Sequence, residues 1–168
     1  MKSSLALVGL NEGFVSQLAL ALSDELNMFY ANVKEIIEYE VFDAQEIEKK
    51  CGLEYLNNLR QKSFKNIVDY ENSVIDLPFS IYSYESNSTL ISKNAIVVYV
   101  CIDKELFDKS IQGQEKESIE VQKLAYENRH QFCIKHADII VEMKNLATKL
   151  NVNKIKKQLL LFMSSKRS

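Results

Sequence analysis

Apolar residues recur along this chain in two alternating rhythms: short continuous runs and longer stretches with helical spacing. Leu5–Leu10 is an apolar, strand-like run that meets a turn at Asn11, Glu12 and Gly13. A helix with Val15, Leu18, Ala19 and Leu22 on one face follows, ending near Glu25. Met28–Tyr30 is a short second strand candidate. Val33–Phe42 and Ala44–Lys50 read as short helices, and Leu53–Asp69 as a longer one carrying Leu56, Leu59, Phe64, Ile67 and Val68. Ser73–Leu77 is β-branched and closed by Pro78, since the residue before proline is driven out of the helical region and proline cannot continue a central ladder. A helix over Ser86–Lys93 precedes Ala95–Ile102, an unbroken apolar run of the kind that forms a parallel strand covered on both faces. Asp103–Lys109 reads as helical, 110–118 as a polar, lid-like loop around Gly113, and Glu120–His136 as a helix with Val121, Leu124, Ala125 and Phe132 inward. Ala137–Met143 is the last strand and Asn151–Met163 a closing amphipathic helix, with 164–168 a frayed tail. Strands alternating with helices imply an α/β fold with a parallel sheet and right-handed crossovers.

Length and composition narrow this further. The chain of 168 residues, 46% hydrophobic, fits one domain over 1–168 with a sizeable core. A net charge of −2 offers no general attraction to nucleic acid or to an anionic membrane, so neither is expected as a partner. No apolar stretch reaches the length of a membrane span, and Asn11 and Glu12 interrupt the N-terminal run too early for a secretion signal. Cys51, Cys101 and Cys133 are odd in number and lack C-x-x-C spacing, so they read as reduced thiols in a cytoplasmic protein.

The strand–turn–helix at Leu5–Ala21 is where a phosphate-binding loop would sit. The pattern G-x-x-x-x-G-K-[ST] supplies backbone N–H groups around phosphate, a lysine for the outer phosphates and a hydroxyl for magnesium. In that register the chain has Gly9, Phe14, Val15 and Ser16, so the second glycine and the lysine are replaced. Ser16 then reads as a helix N-terminal cap, and the Phe14 ring as filling the space phosphate would take. Asp76, at the end of a strand, is a weak metal candidate. His130 and His136 are six apart on a helix and do not share a face for a metal. Tyr30, Tyr82, Tyr84 and Phe14 could line an apolar pocket or simply pack.

The order of these landmarks resembles the shikimate kinase family of P-loop small-molecule kinases from Leu5 to about Leu160. LVGLNEGFVSQLALAL stands in the place of the glycine-rich loop and helix, with Gly9, Gly13 and Ser16 as nucleotide-binding candidates in a degenerate loop. NMFYANVKEII resembles the segment that carries two aspartates in the family, NLRQKSF the helix whose arginine holds the substrate carboxylate, and YENRHQFCIKHADIIVE the late helix and strand. These point to Arg60 and Arg129 as an anion-binding pair, the alternative being structural ion pairs. NAIVVYVCIDKELFDK matches the family's following strand and helix. The resemblance implies a three-layer P-loop fold around a five-stranded parallel sheet.

It also implies ATP and Mg²⁺ as cofactors if activity is retained. Yet the departures fall on the chemistry: Ala31, Asn32 and Val33 replace an Asp-x-Asp, DLPFS lacks the family's glycines, and the loop at 110–118 has no arginine. Phosphoryl transfer depends on positioned charges, and loss of one transition-state donor costs about a hundredfold to a thousandfold in rate, ~3–4 kcal/mol. The expectation is therefore a shikimate-kinase-like protein without kinase activity, acting as a binding or regulatory module for a small anionic ligand or a protein partner. The alternative is a divergent working kinase in which Lys34 or Lys116 supplies the missing charge.

Overall fold

Parallel strands need long crossovers, and the apolar runs of this chain are separated by helical stretches that supply them. In a computed structural model, which describes residues 2–166, those runs form one five-stranded sheet. The strands are β1 (Ser4–Gly9), β2 (Phe29–Asn32), β3 (Ser73–Asp76), β4 (Ala95–Ile102) and β5 (Ile139–Met143). They lie in the order β2-β3-β1-β4-β5, and every adjacent pair is parallel. The expected α/β fold with a central five-stranded parallel sheet is thus the observed one.

Alternation along each central strand splits the core in two. Leu5 and Leu7 of β1 and Ile96, Val98, Val100 and Ile102 of β4 pack under α1 (Glu12–Leu26) and α9 (Thr148–Ser165). Ala6 and Val8, with Val97, Tyr99 and Cys101, face the opposite layer. That layer is built by α2 (Val33–Glu40), α3 (Ala44–Cys51), α4 (Leu53–Val68), α5 (Phe79–Tyr82), α6 (Glu85–Asn94) and α8 (Lys116–His136), whereas α7 (Lys104–Ser110) sets Leu106 against the core under α1 and α9. The central strands are covered on both faces, while the edge strands leave Phe29 of β2 and Ile140 and Glu142 of β5 exposed.

Three expectations need correction. Val121 and Leu124 are 64% and 65% exposed, and α8 instead turns Tyr126, His130 and Cys133 toward β4. Polar tips set this face: the Tyr126 hydroxyl donates to the Ile102 carbonyl (2.8 Å), and His130 Nδ1 lies 2.9 Å from the Tyr99 hydroxyl. A hydrophobic-stripe reading misses inward residues whose polar atoms are paired inside. The loop expected over 110–118 is irregular only over 111–115, because Ser110 closes α7 and Lys116 opens α8. Helix α9 runs on through Ser165, so it takes in part of the expected tail; Arg167 and Ser168 lie outside the described residues. No described helix is long and apolar enough to cross a membrane.

Candidate functional site

The carboxyl ends of β1 and β3 adjoin, which is where open α/β sheets place their ligands. Strand β1 ends at Gly9, only Leu10 and Asn11 connect it to α1, and the helix begins at Glu12. Asn11 is the cap: its backbone is extended, its side-chain oxygen accepts from the Phe14 N–H (3.0 Å), and its carbonyl accepts from the Val15 N–H (3.0 Å). Ser16 is therefore not the cap but lies in the second turn. Phe14 and Val15 are buried with Leu18, Val74 and Val100 between α1 and the sheet. Phe14 does not fill the space beside Gly9, because its position on the helix directs it into the core.

The space beside Gly9 is a 260 Å³ cavity. Gly9, Gly13, Ser16 and Asp76 line it together, joined by Glu12 and Lys34. Gly9 is tightly held: a Cβ there would stand 2.7 Å from Val15 Cγ2 and 2.8 Å from the Val100 carbonyl. Asp76 ends β3 opposite Asn32, is 5% exposed, and accepts a 2.9 Å hydrogen bond from the Tyr30 hydroxyl. Burial raises its pKa above the ordinary carboxylate value; Ser16 and Tyr30 oppose this, and the Glu12 and Glu35 charges add to it. The Tyr30 phenol is pushed up to about 12, by burial first and then by Asp76.

A carboxyl that holds its proton more tightly in the folded chain makes stability greatest in acid, and that contribution is lost as pH rises through the folded-state pKa. Asp76→Asn is therefore expected to be more stable than the parent chain near pH 7, with an advantage that shrinks toward acid. Urea denaturation at both ends of that range checks it; a variant less stable throughout would show that the hydrogen bonds outweigh the buried charge.

A larger cleft of 580 Å³ opens next to this cavity, between α2, α4 and the segment after Pro78. Arg60 lines it and donates to Asn57 Oδ1 (3.4 Å). Lys34 and Glu12 line both spaces, and Glu38 lines only the cleft. A third space of 650 Å³, with Leu106, Ile111, Tyr126 and Leu146 on its walls, lies on the other side of Asn11 and Glu12.

Arg60 lines the larger cleft and Arg129 does not. Arg129 is exposed, with its guanidinium over the Phe79 ring at 5.3 Å, and lines none of these three spaces; nor does Lys116. Among the described residues neither arginine forms an ion pair. Tyr84 lines the cleft, whereas Tyr82 is fully buried in the core. Among the described residues no group of three or more histidine, cysteine or acidic side chains is arranged to hold a metal.

Glu12 and Glu38 were not singled out by sequence reasoning, and Lys34 only as one of two spare cations. Charged residues on short helices look like solvated faces, and nothing in their local spacing shows that they share a wall with Arg60. Asn11, in contrast, carries a readable signal: an asparagine directly before a helical apolar pattern is a favoured cap.

The family model for shikimate kinase matches residues 16–160. Solved structures of the same shape include shikimate kinase from Aquifex aeolicus, 22% identical, with a TM-score of 0.72 over 93% of this chain and 95% of that one. Shikimate kinase from Acinetobacter baumannii in complex with shikimate is 16% identical, with a TM-score of 0.76 over 100% and 97%. Dephospho-CoA kinase from Campylobacter jejuni is 13% identical, with a TM-score of 0.69 over the full length of both chains. No curated protein matches the chain in sequence.

Proposed function

The chain belongs to the shikimate kinase family, and from that premise we propose that it has lost ATP-dependent phosphotransfer and acts as a small-ligand-binding or regulatory module of that fold. The observation that carries this reading is the start of α1. Asn11 takes up the Phe14 N–H that a phosphate loop would leave free, and Phe14 and Val15 are buried where that loop would turn a glycine and a lysine toward the ligand. Glu12 sets a carboxylate at the helix N-terminus, the position where backbone dipoles would otherwise favour phosphate.

These residues do not fit a magnesium triphosphate. The family match also begins at Ser16, past this stretch. The cleft that holds Arg60 persists beside the altered helix start, which is the pattern expected of a retained binding site.

The test is turnover of ATP with shikimate in the presence of Mg²⁺, together with titration calorimetry of ATP. No turnover and no heat of nucleotide binding are expected. Magnesium-dependent phosphorylation at ordinary enzyme rates overturns the reading.

One feature favours a second reading, a divergent small-molecule kinase: Lys34 lines the cavity that holds Ser16 and Asp76. If Lys34 supplies the missing cation, Lys34→Met abolishes any turnover found. Turnover that survives this change rules out that role.

A further inference from the structure

Two exposed faces of this chain carry opposite charge, and each also exposes large apolar side chains. Residues 35–48 hold six acids, Glu35, Glu38, Glu40, Asp43, Glu46 and Glu48, and no lysine or arginine. In their midst Tyr39 is 86% and Phe42 82% exposed. The local backbone holds both rings outward. Val33 and Ile37 take the buried side of α2, which leaves Tyr39 on the other. Phe42 follows Val41, which is buried and donates its N–H to the Ile37 carbonyl (2.8 Å). It precedes Asp43, whose left-handed backbone (φ 59°) lets its side chain cap α3 by accepting from the Glu46 N–H (3.4 Å).

Residues 143–166 are the reverse: six lysines, Lys144, Lys149, Lys154, Lys156, Lys157 and Lys166, and no acid. Helix α9 buries Val152, Ile155 and Leu159, while Leu150, Leu160 and Leu161 are each more than half exposed. Leu150, Lys154, Lys157 and Leu161 follow one another at helical spacing along a single outer row. Little of either charge is neutralised within the chain. Among the described residues Glu46 pairs with Lys50 and Lys156 with Glu25, the other two ion pairs lie elsewhere, and Lys154 donates to the neutral Glu142 carbonyl.

We infer that these two faces bind each other between copies of the chain. The Tyr39 and Phe42 rings of one copy sit on the leucines of α9 in the next, with the acids of α2 and α3 against its lysines. Within one copy the faces cannot meet, because α2 and α3 lie in the layer on one side of the sheet and α9 in the layer on the other. An interface of unlike faces is head-to-tail, so a pair leaves one face free at each end and assembly continues to a ring or an open chain. A two-fold dimer built on either face alone would set like charges together. An anionic membrane would attract α9, but the rest of the chain is acidic, and the aromatic face would stay uncovered. A second copy covers both.

The experiment is sedimentation velocity on the full chain over a range of concentrations, at ionic strengths of about 0.05 M and about 0.5 M. Mass above the monomer is expected to grow with concentration at the lower ionic strength and to fall at the higher, where screening confines the charges to short range. Two variants remove one face each: Tyr39→Gln/Phe42→Ser and Leu160→Gln/Leu161→Gln. All four side chains are exposed, so the circular dichroism of both should match that of the parent chain. Each variant alone is expected to self-associate about tenfold or more weakly than the parent. Mixed in equal amounts they should form a one-to-one heterodimer that grows no further, because each supplies the face the other lacks.

The inference is overturned if the parent chain stays monomeric at about 0.1 mM, if only one of the two variants loses association, or if the mixture fails to pair. A chain that is monomeric in solution and sediments with anionic vesicles overturns it as well and assigns α9 to a membrane surface. Turnover of ATP with shikimate leaves it standing, since none of the four substituted side chains lines the cleft or the cavity beside Gly9.

Discussion

Replacing Phe14 by alanine is expected to lower the stability of the chain by roughly 3–5 kcal/mol without creating a nucleotide site. Phe14 is 5% exposed and belongs to the core between α1, α9 and the sheet. Removing its ring deletes buried apolar contacts and leaves a void that the helix, tied to β1 by only two residues, can close only in part. The same position read as a plug over a phosphate site predicts the opposite pair of results: little loss of stability and a gain of ATP binding. Urea denaturation and ATP calorimetry on the one variant separate them. A loss under about 1 kcal/mol accompanied by nucleotide binding would reverse the account of this helix start.

Gly9→Ala is expected to cost about 1–3 kcal/mol. A Cβ at Gly9 would come within 2.7 Å of Val15 Cγ2 and 2.8 Å of the Val100 carbonyl, closer than real side chains approach. Val15 can give way a little. Val100 cannot, because it pairs with Gly9 in the β1–β4 ladder. The glycine at this place is therefore explained by strand–helix packing, whether or not any phosphate is ever bound. Gly13→Ala is the contrasting control. A Cβ there meets nothing nearer than the Asn11 side-chain oxygen at 3.7 Å, and the residue lies within α1. That substitution should stabilise the chain by roughly 0.5–1 kcal/mol, since alanine loses less backbone entropy in a helix. Thermal or urea denaturation of the two variants reads both signs; equal effects would contradict the packing role of Gly9.

The strands were legible because burial leaves a local trace. Ala95–Ile102 is apolar at every position and became β4 with the same bounds, covered on both faces. Ser73–Leu77, closed by Pro78, became β3, one residue shorter. Helix faces were less legible where polar tips are satisfied inside: α8 turns Tyr126, His130 and Cys133 inward, and the more hydrophobic-looking Val121 and Leu124 face solvent. The helix start shows the same limit. The replacement of a motif lysine by Val15 is plain in the letters, but the inward direction of Phe14 follows from where α1 begins, which the Asn11 cap sets.

By itself, then, the amino-acid sequence determined the layered parallel α/β architecture, the family, and the absence of a lysine at position 15. These depend on residue type and on periodicity over a few turns or one strand, so they can be read locally. Only the tertiary structure decided that Phe14 is core, that Gly9 is required by packing, that Arg60 lines a cleft while Arg129 lies over the Phe79 ring, and that Glu12, Lys34, Glu38 and Arg60 share one cleft. The reason is that a cavity belongs to no single segment. Its walls come from residues separated by tens of positions, and their charges meet only once the strand order β2-β3-β1-β4-β5 has brought α1, α2 and α4 to the same end of the sheet.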